Sequence, residues 1–331
     1  MKKNVKVYVK TPARLHLGLI DLNGDLGRIF GGLGVAIDHP NVVLEAQESK
    51  TLTVSGEKTE LTQNLAARFL KAFKIKENVA IEVKQVIPEH MGLGSGTQLA
   101  LAVAAAISRL FDIKASPYEL AAVMERTAQS GVGTGVFAQG GLVVEAGKNM
   151  QNPNHKTIPV ICRQPFPGEW RFVVAIPNAK KGLAKEAEKE AFKKLPPMPV
   201  AEVGKICRLT LMKLLPALAE KDIKNFGEAL TQIQNIVGDS FAQAQGGRYS
   251  SSPAAQTIGF MLENGACGAG QSSWGPAVYG VVKSGEAEEV QKKTQAFLDG
   301  NVGGSVLVAK ADNRGAIIRV KELKRKTFNS A

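Results

Sequence analysis

Apolar and polar residues alternate in short stretches of this chain, separated by turns rich in glycine. Residues 5–9 (VKVYV) and 79–87 (VAIEVKQVI) follow a period of two, which predicts half-buried strands. Residues 61–74 instead repeat at helical spacing, with apolar side chains at Leu61, Leu65, Phe69, Leu70 and Phe73. The pattern predicts a chain that mixes strands and helices.

A glycine-rich turn follows the strand at 79–87. Its sequence, GLGSGTQ, leads into small apolar residues that predict a helix to about Leu110. Ser116 and Pro117 then open another helix, predicted to run through Arg126. A second glycine-rich stretch, QSGVGTGVFAQGG at 129–141, ends in a predicted strand, LVVEA. Strand, glycine turn and helix therefore follow one another in the first half of the chain.

A cluster of polar turn residues at 147–155 marks a predicted domain boundary, with one domain at 1–155 and another at 156–331. Two or three helices between about 182 and 245 follow a strand at 171–176 in the second domain. Its last third predicts, in order, a helix at 253–264, a glycine loop at 265–275, a strand at 277–283, a helix at 285–298 and a strand at 304–309. That order of elements favours a split, ferredoxin-like sandwich.

Charge and cysteine content narrow the class of protein. The formal net charge is +12, which indicates either a solvated basic surface or steering of an anionic small substrate. Since no aromatic-rich sheet motif accompanies the lysines, binding to nucleic acid is not expected. No apolar run reaches the length of a membrane span and no secretory signal is recognisable, so we expect no membrane association. An odd number of widely spaced cysteines predicts reduced thiols and a cytoplasmic location.

The first glycine turn has the composition of a phosphate-binding loop. Gly92, Gly94 and Gly96 allow the backbone to turn tightly and to approach a ligand closely. A helix that begins near Ser95 would direct unpaired N–H groups and a partial positive charge at an anion. The alternative is an ordinary turn whose glycines serve packing. Both interpretations remain open on this stretch alone.

Two further stretches carry candidate chemistry. TPARLHLGLID at 11–21 follows the first strand and brings Arg14, His16 and Asp21 close together. NGACGAGQSSWGPAVYG at 264–280 is a third glycine-rich turn that precedes a strand. Together with the first glycine turn, the three motifs and their order resemble the GHMP kinase superfamily, named for galactokinase, homoserine, mevalonate and phosphomevalonate kinases. The resemblance implies an α+β fold of two domains, the first ribosomal protein S5 domain 2-like and the second a ferredoxin-like sandwich.

The chain departs from the kinases of that superfamily at three places. Gly96, Thr97 and Gln98 stand where the kinases usually continue with Ser and Ala, and SGVGTG holds no acid where many of them carry a catalytic aspartate. The third turn continues with QSSWGP, whereas the kinases continue with small residues. Homoserine-type kinases also lack the aspartate. An ATP-dependent small-molecule kinase, like those for homoserine or mevalonate, therefore remains an alternative, as does a polyanion-binding protein without catalysis.

These departures resemble one non-kinase branch, the β-ribofuranosylaminobenzene 5′-phosphate synthases of methanopterin biosynthesis. The resemblance implies condensation of phosphoribosyl pyrophosphate with 4-hydroxybenzoate or 4-aminobenzoate, with loss of pyrophosphate and CO2, and implies Mg2+ and a homodimer. Polyanion binding and the benzoate ring then suggest a site. The predicted catalytic residues are Arg14, His16 and Ser273, with Asp21 as candidate metal ligand. The predicted substrate-binding residues are Gly92, Gly94, Ser95, Gly96, Thr97, Gln98, Arg28, Arg126, Ser130, Gln271, Ser272 and Trp274.

Overall fold

A mixed sheet forms the first half of the protein, in a computed structural model that describes residues 5–126, 130–152, 157–179, 190–192 and 195–322. Its two long strands, β1 (Val5–Asp21) and β2 (Arg28–Ser49), pair antiparallel along most of their length. The shorter strands are β3 (Thr53–Gly56), β4 (Asn78–Gln85), β5 (Leu142–Glu145), β6 (Lys148–Asn149) and β7 (Val160–Gln164). β4 pairs with the end of β2, and β5 and β6 pair with its beginning.

Four helices accompany this sheet: α1 (Thr59–Ala72), α2 (Ser95–Leu110), α3 (Pro117–Val123) and α4 (Val132–Gln139). α2 is buried on nearly all sides, because its small apolar residues contact β1, β2 and the three other helices. A helix that is apolar all round belongs in a core. The Ser116 and Glu119 side chains form a capping box at the start of α3, as the serine-proline signal predicts.

An antiparallel sheet of four strands forms the second half, in the order β11-β8-β10-β9. Its strands are β8 (Trp170–Pro177), β9 (Gly268–Gln271), β10 (Val278–Lys283) and β11 (Gly304–Ala309). The helices are α5 (Val200–Leu209), α6 (Leu215–Glu220), α7 (Ile223–Gln245), α8 (Ser252–Glu263) and α9 (Ala287–Asp299), with a π-helical turn at Thr210–Leu214. This strand order matches the ferredoxin-like sandwich predicted from the sequence and confirms the α+β class.

The two halves are joined through strands and through buried side chains, of which Gln234 is one. The last strand, β12 (Ile317–Glu322), returns to the first sheet and pairs with β1, and β7 pairs with β5 in the same sheet. The first sheet therefore takes strands from both sides of residue 155. Gln234 on α7 donates to the Leu17 carbonyl of β1 (2.7 Å) and accepts from the Gln271 amide of β9 (2.9 Å). One glutamine thus ties α7 to both sheets.

Two sequence expectations need correction. The predicted glycine loop at 265–275 contains strand β9. The glycine-rich stretch at 129–141, for which no element was predicted, contains helix α4. α3 ends at Val123 and not at Arg126, because Glu125 takes a left-handed backbone conformation (φ 54°). Cys162, Cys207 and Cys267 are all free thiols, as expected. Among the described helices, none combines the length and the apolar content needed to cross a membrane.

Candidate active site

A cavity of about 110 Å³ lies where β1, α7 and the end of β9 meet, and it is partly open to solvent. The lining residues are Arg14, His16, Gly18, Leu19, Ser130, Phe192, Gln234, Val237, Gly238, Phe241, Gln245, Arg248, Tyr249, Gln271, Ser273 and Trp274. This described lining contains two arginines and no acidic residue, so the cavity suits an anion.

The sequence motifs meet beside this cavity, at Gly92. The Arg14 backbone N–H donates to the Leu93 carbonyl (3.1 Å), and the Arg14 guanidinium donates to the Gly92 carbonyl (2.5 Å). The Ser272 hydroxyl donates to the same Gly92 carbonyl (2.6 Å). The β1 motif, the first glycine turn and the third glycine turn therefore form one hydrogen-bonded unit.

His16 is buried at the centre of this unit, and its backbone N–H donates to Ser272 Oγ (2.9 Å). Its Nδ1 accepts from the Gly18 N–H (3.4 Å), and its Nε2 lies 3.3 Å from Ser130 Oγ. A bulge in the pairing of β1 with β2 falls between His16 and Gly18 and brings that N–H to the ring. Burial, helped by the positive charge of Arg14, lowers the pKa of His16 to about 3. His16 is therefore neutral near pH 7. Its predicted catalytic role is then that of an uncharged hydrogen-bonding group.

The first glycine turn lies behind Arg14 and does not itself line the cavity. Gly92 and Gly94 both have positive φ, and Gly94 is the residue before α2. The amides of Thr97 and Gln98 donate to the Gly94 carbonyl, so the first-turn amides without a partner inside the helix are those of Ser95 and Gly96. A Cβ at Gly92 would lie 2.2 Å from the Ser272 carbonyl oxygen, so packing requires glycine there. The packing interpretation therefore applies at Gly92, and phosphate binding by the turn stays a prediction.

An aromatic wall closes the far side of the cavity. The Trp274 ring meets Phe241 edge-on at 4.8 Å between centroids and Phe192 at 5.6 Å. Next to it, Ser273 has a positive φ of 56°. The Gln271 side chain fixes this turn, because it donates to the Ser273 carbonyl (2.9 Å) and accepts from the Ser250 N–H (2.7 Å). Arg14, His16, Ser130, Gln271, Ser273 and Trp274 are thus the predicted residues that line the cavity.

Several predicted residues lie elsewhere. Gln98 is buried between α2 and α4, where its amide donates to the Gly133 carbonyl (2.8 Å). Arg28 donates to the carbonyls of Ala146 and Gly147 (2.7 and 2.9 Å). Arg126 lies beside Gly96 at the start of α2, where burial and Arg68 lower its pKa. Of the three, the structure therefore leaves only Arg126 next to the proposed phosphate position.

Asp21 caps its own turn, and its role as a metal ligand stays a prediction. Its Oδ1 accepts from the backbone N–H groups of Asn23 (2.7 Å) and Gly24 (2.8 Å), which makes it the cap of its own turn. Within the described ranges, no three His, Cys, Asp or Glu side chains come together closely enough to hold a metal ion. The donor set of the described residues therefore does not fit a magnesium site built by the protein alone.

The cavity also contains residues that sequence reasoning missed. Gln234, Phe241 and Gln245 come from α7, and Arg248 and Tyr249 follow it. Arg248 is held by Asp239 (Nε to Oδ1, 2.7 Å). An amphipathic helix shows only that one face is buried, and nothing in its spacing separates core from cavity. The pairing of Arg248 and Tyr249 just after the helix is the one signal that was available.

Comparison with known proteins shows the family to which the chain belongs. The model of the GHMP kinases N terminal domain matches residues 60–140, and that of the GHMP kinases C terminal domain matches residues 214–300. Beta-ribofuranosylphenol 5′-phosphate synthase from Archaeoglobus fulgidus is 36% identical, over 94% of this chain and 99% of its own. The enzyme of the same name from Methanothermobacter thermautotrophicus is 33% identical, over 95% and 99%. Lactococcus lactis galactokinase complexed with galactose shares the fold, with a TM-score of 0.69 at 14% identity over 97% and 96% of the two chains.

Proposed function

Because the chain belongs to the family of β-ribofuranosylphenol 5′-phosphate synthases, we propose that it condenses phosphoribosyl pyrophosphate with a 4-substituted benzoate. The product is a C-riboside 5′-phosphate, and pyrophosphate and CO2 are released. The relatives are named for a phenol product, which favours 4-hydroxybenzoate over 4-aminobenzoate as the acceptor. The proposal makes both substrates anions, and one of them aromatic.

The observation that carries this proposal is the chemistry of the cavity lining. Arg14 supplies positive charge, Arg248 is already paired with Asp239, the described lining has no carboxylate, and the perpendicular rings of Trp274 and Phe241 supply an apolar aromatic surface. A benzoate has an aromatic ring and one carboxylate, and the half-buried Arg14 can bind a carboxylate through charge-assisted hydrogen bonds. The cavity therefore matches the acceptor in polarity and charge.

The first glycine turn is the proposed position of a donor phosphate. The amides of Ser95 and Gly96 lie at the positive end of the 16-residue helix α2. Arg126 adjoins Gly96, and Arg14 contacts the turn on one side and the cavity on the other. Arg14 is thus proposed to contact both substrates and to hold the sugar near the acceptor ring.

The reaction needs positioning and charge stabilisation more than a protein nucleophile. The bond between the anomeric carbon and pyrophosphate breaks with its electron pair on pyrophosphate, and the ring carbon that bears the carboxylate bonds to the anomeric carbon. The carbon–carboxylate bond then breaks, CO2 leaves, and its electron pair restores the aromatic ring. Arg14 stabilises the developing negative charge, and neutral His16 and the Ser273 hydroxyl complete the wall that orients the substrates.

Magnesium stays part of the proposal as the counter-ion that the donor's pyrophosphate brings with it. Mg2+ commonly binds through substrate phosphates with few protein ligands. The homodimer implied by the family resemblance likewise remains a prediction.

The test is an assay with carboxyl-labelled acceptor. We expect labelled CO2 and an equal amount of pyrophosphate only when phosphoribosyl pyrophosphate and Mg2+ are both present. The kinase alternative is tested in parallel with ATP and homoserine or mevalonate. Formation of ADP that depends on one of these alcohols, with no CO2 from either benzoate, would replace the synthase with a kinase.

Arg14 variants test the position of the site. Arg14→Ala should lower kcat/KM by about 10- to 150-fold, since a hydrogen bond to a charged group contributes about 1.5–3 kcal/mol. Arg14→Lys should recover part of this loss, because the charge remains but the planar fork is lost. Arg319→Ala removes an exposed arginine from β12, outside the cavity lining, and serves as the control. Equal losses in Arg14→Ala and Arg319→Ala would move the site away from this cavity.

A further inference from the structure

A buried carboxylate without a role in the steps above lies behind the cavity, at the end of β5. Glu145 is fully buried, and its two oxygens accept from the backbone N–H groups of Gly131 (3.0 Å) and Gly147 (2.6 Å). Burial raises the pKa of Glu145, and the backbone donors of Gly147 and Gly131 and the Ser130 side chain act against that rise. A buried carboxylate is costly unless it is hydrogen-bonded, and this one has donors on both oxygens.

Hydrogen-bond directions along this row of residues are fixed by the backbone. The Gly18 N–H can only donate, so His16 Nδ1 must accept and the ring proton must lie on Nε2. Nε2–H then donates to Ser130 Oγ, which also accepts from the Val132 N–H (3.2 Å). The serine proton is left to point at Glu145. Donation therefore runs in one direction, from the imidazole through the serine to the carboxylate.

We propose that Glu145 is a positioning residue for the active site. Acting through Ser130, Glu145 holds His16 in its neutral Nε2–H tautomer beside Arg14. Only the purpose of the positioned imidazole, which is to orient the substrates, rests on the proposed function. With a neutral ring, Arg14 is the positive charge that the described residues place on this side of the cavity. It also keeps the ring edge fixed where the substrates would lie.

The arginines near the imidazole favour a neutral ring, and Glu145 is the group whose negative charge acts the other way. Arg14 is on the same strand, Arg248 is in the lining across the cavity, and Arg28 on β2 lies near the far side of Glu145. α7 and β9 present the uncharged Gln234 and Gln271. Protonation of Nδ1 would bring it against the Gly18 N–H, in agreement with the lowered pKa of His16.

The ring can be observed directly by NMR of protein labelled with 15N-histidine, because the chain has only four histidines. We expect the His16 nitrogens of the wild type to show the Nε2–H tautomer and no titration between pH 5 and 8. His39, which is half-exposed and bonded to Asp38 (2.8 Å), should titrate in the same spectra and serves as an internal control. An Nδ1–H tautomer, or titration of His16 near pH 6.5, would overturn the proposal without bearing on the reaction itself.

Ser130 variants separate positioning from folding. In Ser130→Ala the carboxylate keeps both backbone donors, so we expect a folded protein whose His16 loses its single tautomer, with kcat lowered about 2- to 10-fold. Ser130→Thr keeps the hydroxyl and should restore both signals. Glu145→Gln should alter the tautomer in the same way if it folds. Unchanged His16 signals in Ser130→Ala would refute the relay, whereas altered signals with no synthase activity in any variant would point to failure of the proposed function alone.

Discussion

Ser273 has a backbone conformation that residues with a side chain rarely adopt. Its φ of 56° lies in the left-handed region, and its side chain lines the cavity. Strained residues concentrate at functional sites because the surrounding structure holds them there. Ser273→Gly removes the strain and the hydroxyl together. We expect an equal or higher melting temperature and a kcat/KM reduced about 2- to 10-fold, since one hydrogen bond is lost.

Lys74→Gly is the matched control for that change. Lys74 is exposed, follows α1 and has a similar φ of 53°. This variant should relieve the same kind of strain and leave the kinetics unchanged. If Ser273→Gly has full activity, the serine hydroxyl does not contact either substrate.

The lowered pKa of His16 also predicts how stability depends on pH. The folded state holds the ring neutral down to about pH 3, whereas the unfolded chain binds a proton below about pH 6.5. The contribution of His16 is therefore fully present above pH 6.5 and is lost as pH falls from 6.5 towards 3. In urea unfolding, wild type should lose up to about 1.4 kcal/mol per pH unit more than His16→Gln in this range. Parallel pH curves for the two proteins would mean that the folded ring accepts protons.

For single residues, the sequence predicted which side chains gather near the cavity better than it predicted what each side chain contacts. Arg14, His16, Ser272 and Trp274 stand in short motifs whose residue types are unusual for turns, and the structure brings them together. Gln98 stands in such a motif too, yet it serves the contact between α2 and α4. Residue type alone does not say which way a side chain points. That depends on packing by elements distant in the sequence.

At the scale of elements, α2 offers a test of the phosphate position. Gly94 is unsuitable, since its φ is +80° and a Cβ there would lie 2.9 Å from Arg14 Cγ. Gly96 lies within the helix, and a Cβ would meet only Arg126 Nη1 at 3.5 Å. Gly96→Ala should stabilise the fold by about 0.4–1 kcal/mol. It should nevertheless weaken phosphoribosyl pyrophosphate binding about 10-fold or more in calorimetry, because the methyl group takes the phosphate's place.

Gly259→Ala is the control for this helix substitution. Gly259 is in α8 and has open space where the Cβ would be. It should give a similar gain in stability and unchanged binding. Full affinity in Gly96→Ala would mean that the glycine turn only directs the chain into α2.

Elements with regular patterns were predicted well, and those made of small residues were not. β9 reads GAGQ and has no strand pattern, because glycine is required where it crosses α7. A Cβ at Gly268 would lie 2.4 Å from the Gly227 Cα, and one at Gly270 equally close to Gln234 Cγ. Gly133 in α4 similarly allows close approach to Thr97. Tertiary contacts select glycine at these positions and hide the local preference of the element.

For the whole molecule, the family and the class of fold followed from the order of motifs, whereas the return of the chain to the first sheet did not. Each residue of β12 comes more than 300 residues after the β1 residue that it pairs with, and the alternating residues of β12 fit any half-exposed strand. Only the partner strand decides where such a strand pairs. The domain organisation therefore depends on a contact that local patterns do not contain.

The charge of the whole molecule gives the last prediction. With a net charge of +12 and two arginines in the cavity, the protein should attract phosphoribosyl pyrophosphate before contact. The association rate constant should fall about 10-fold or more as ionic strength rises from about 0.01 M to about 1 M, which shortens the screening length from about 30 Å to about 3 Å. Stopped-flow fluorescence of Trp274 measures it in Trp170→Phe, since Trp170 is the only other tryptophan and is buried outside the cavity. A neutral ligand, 4-hydroxybenzamide, should show no such dependence. If the anion also associates at a rate independent of salt, the positive charge is only a solvated surface.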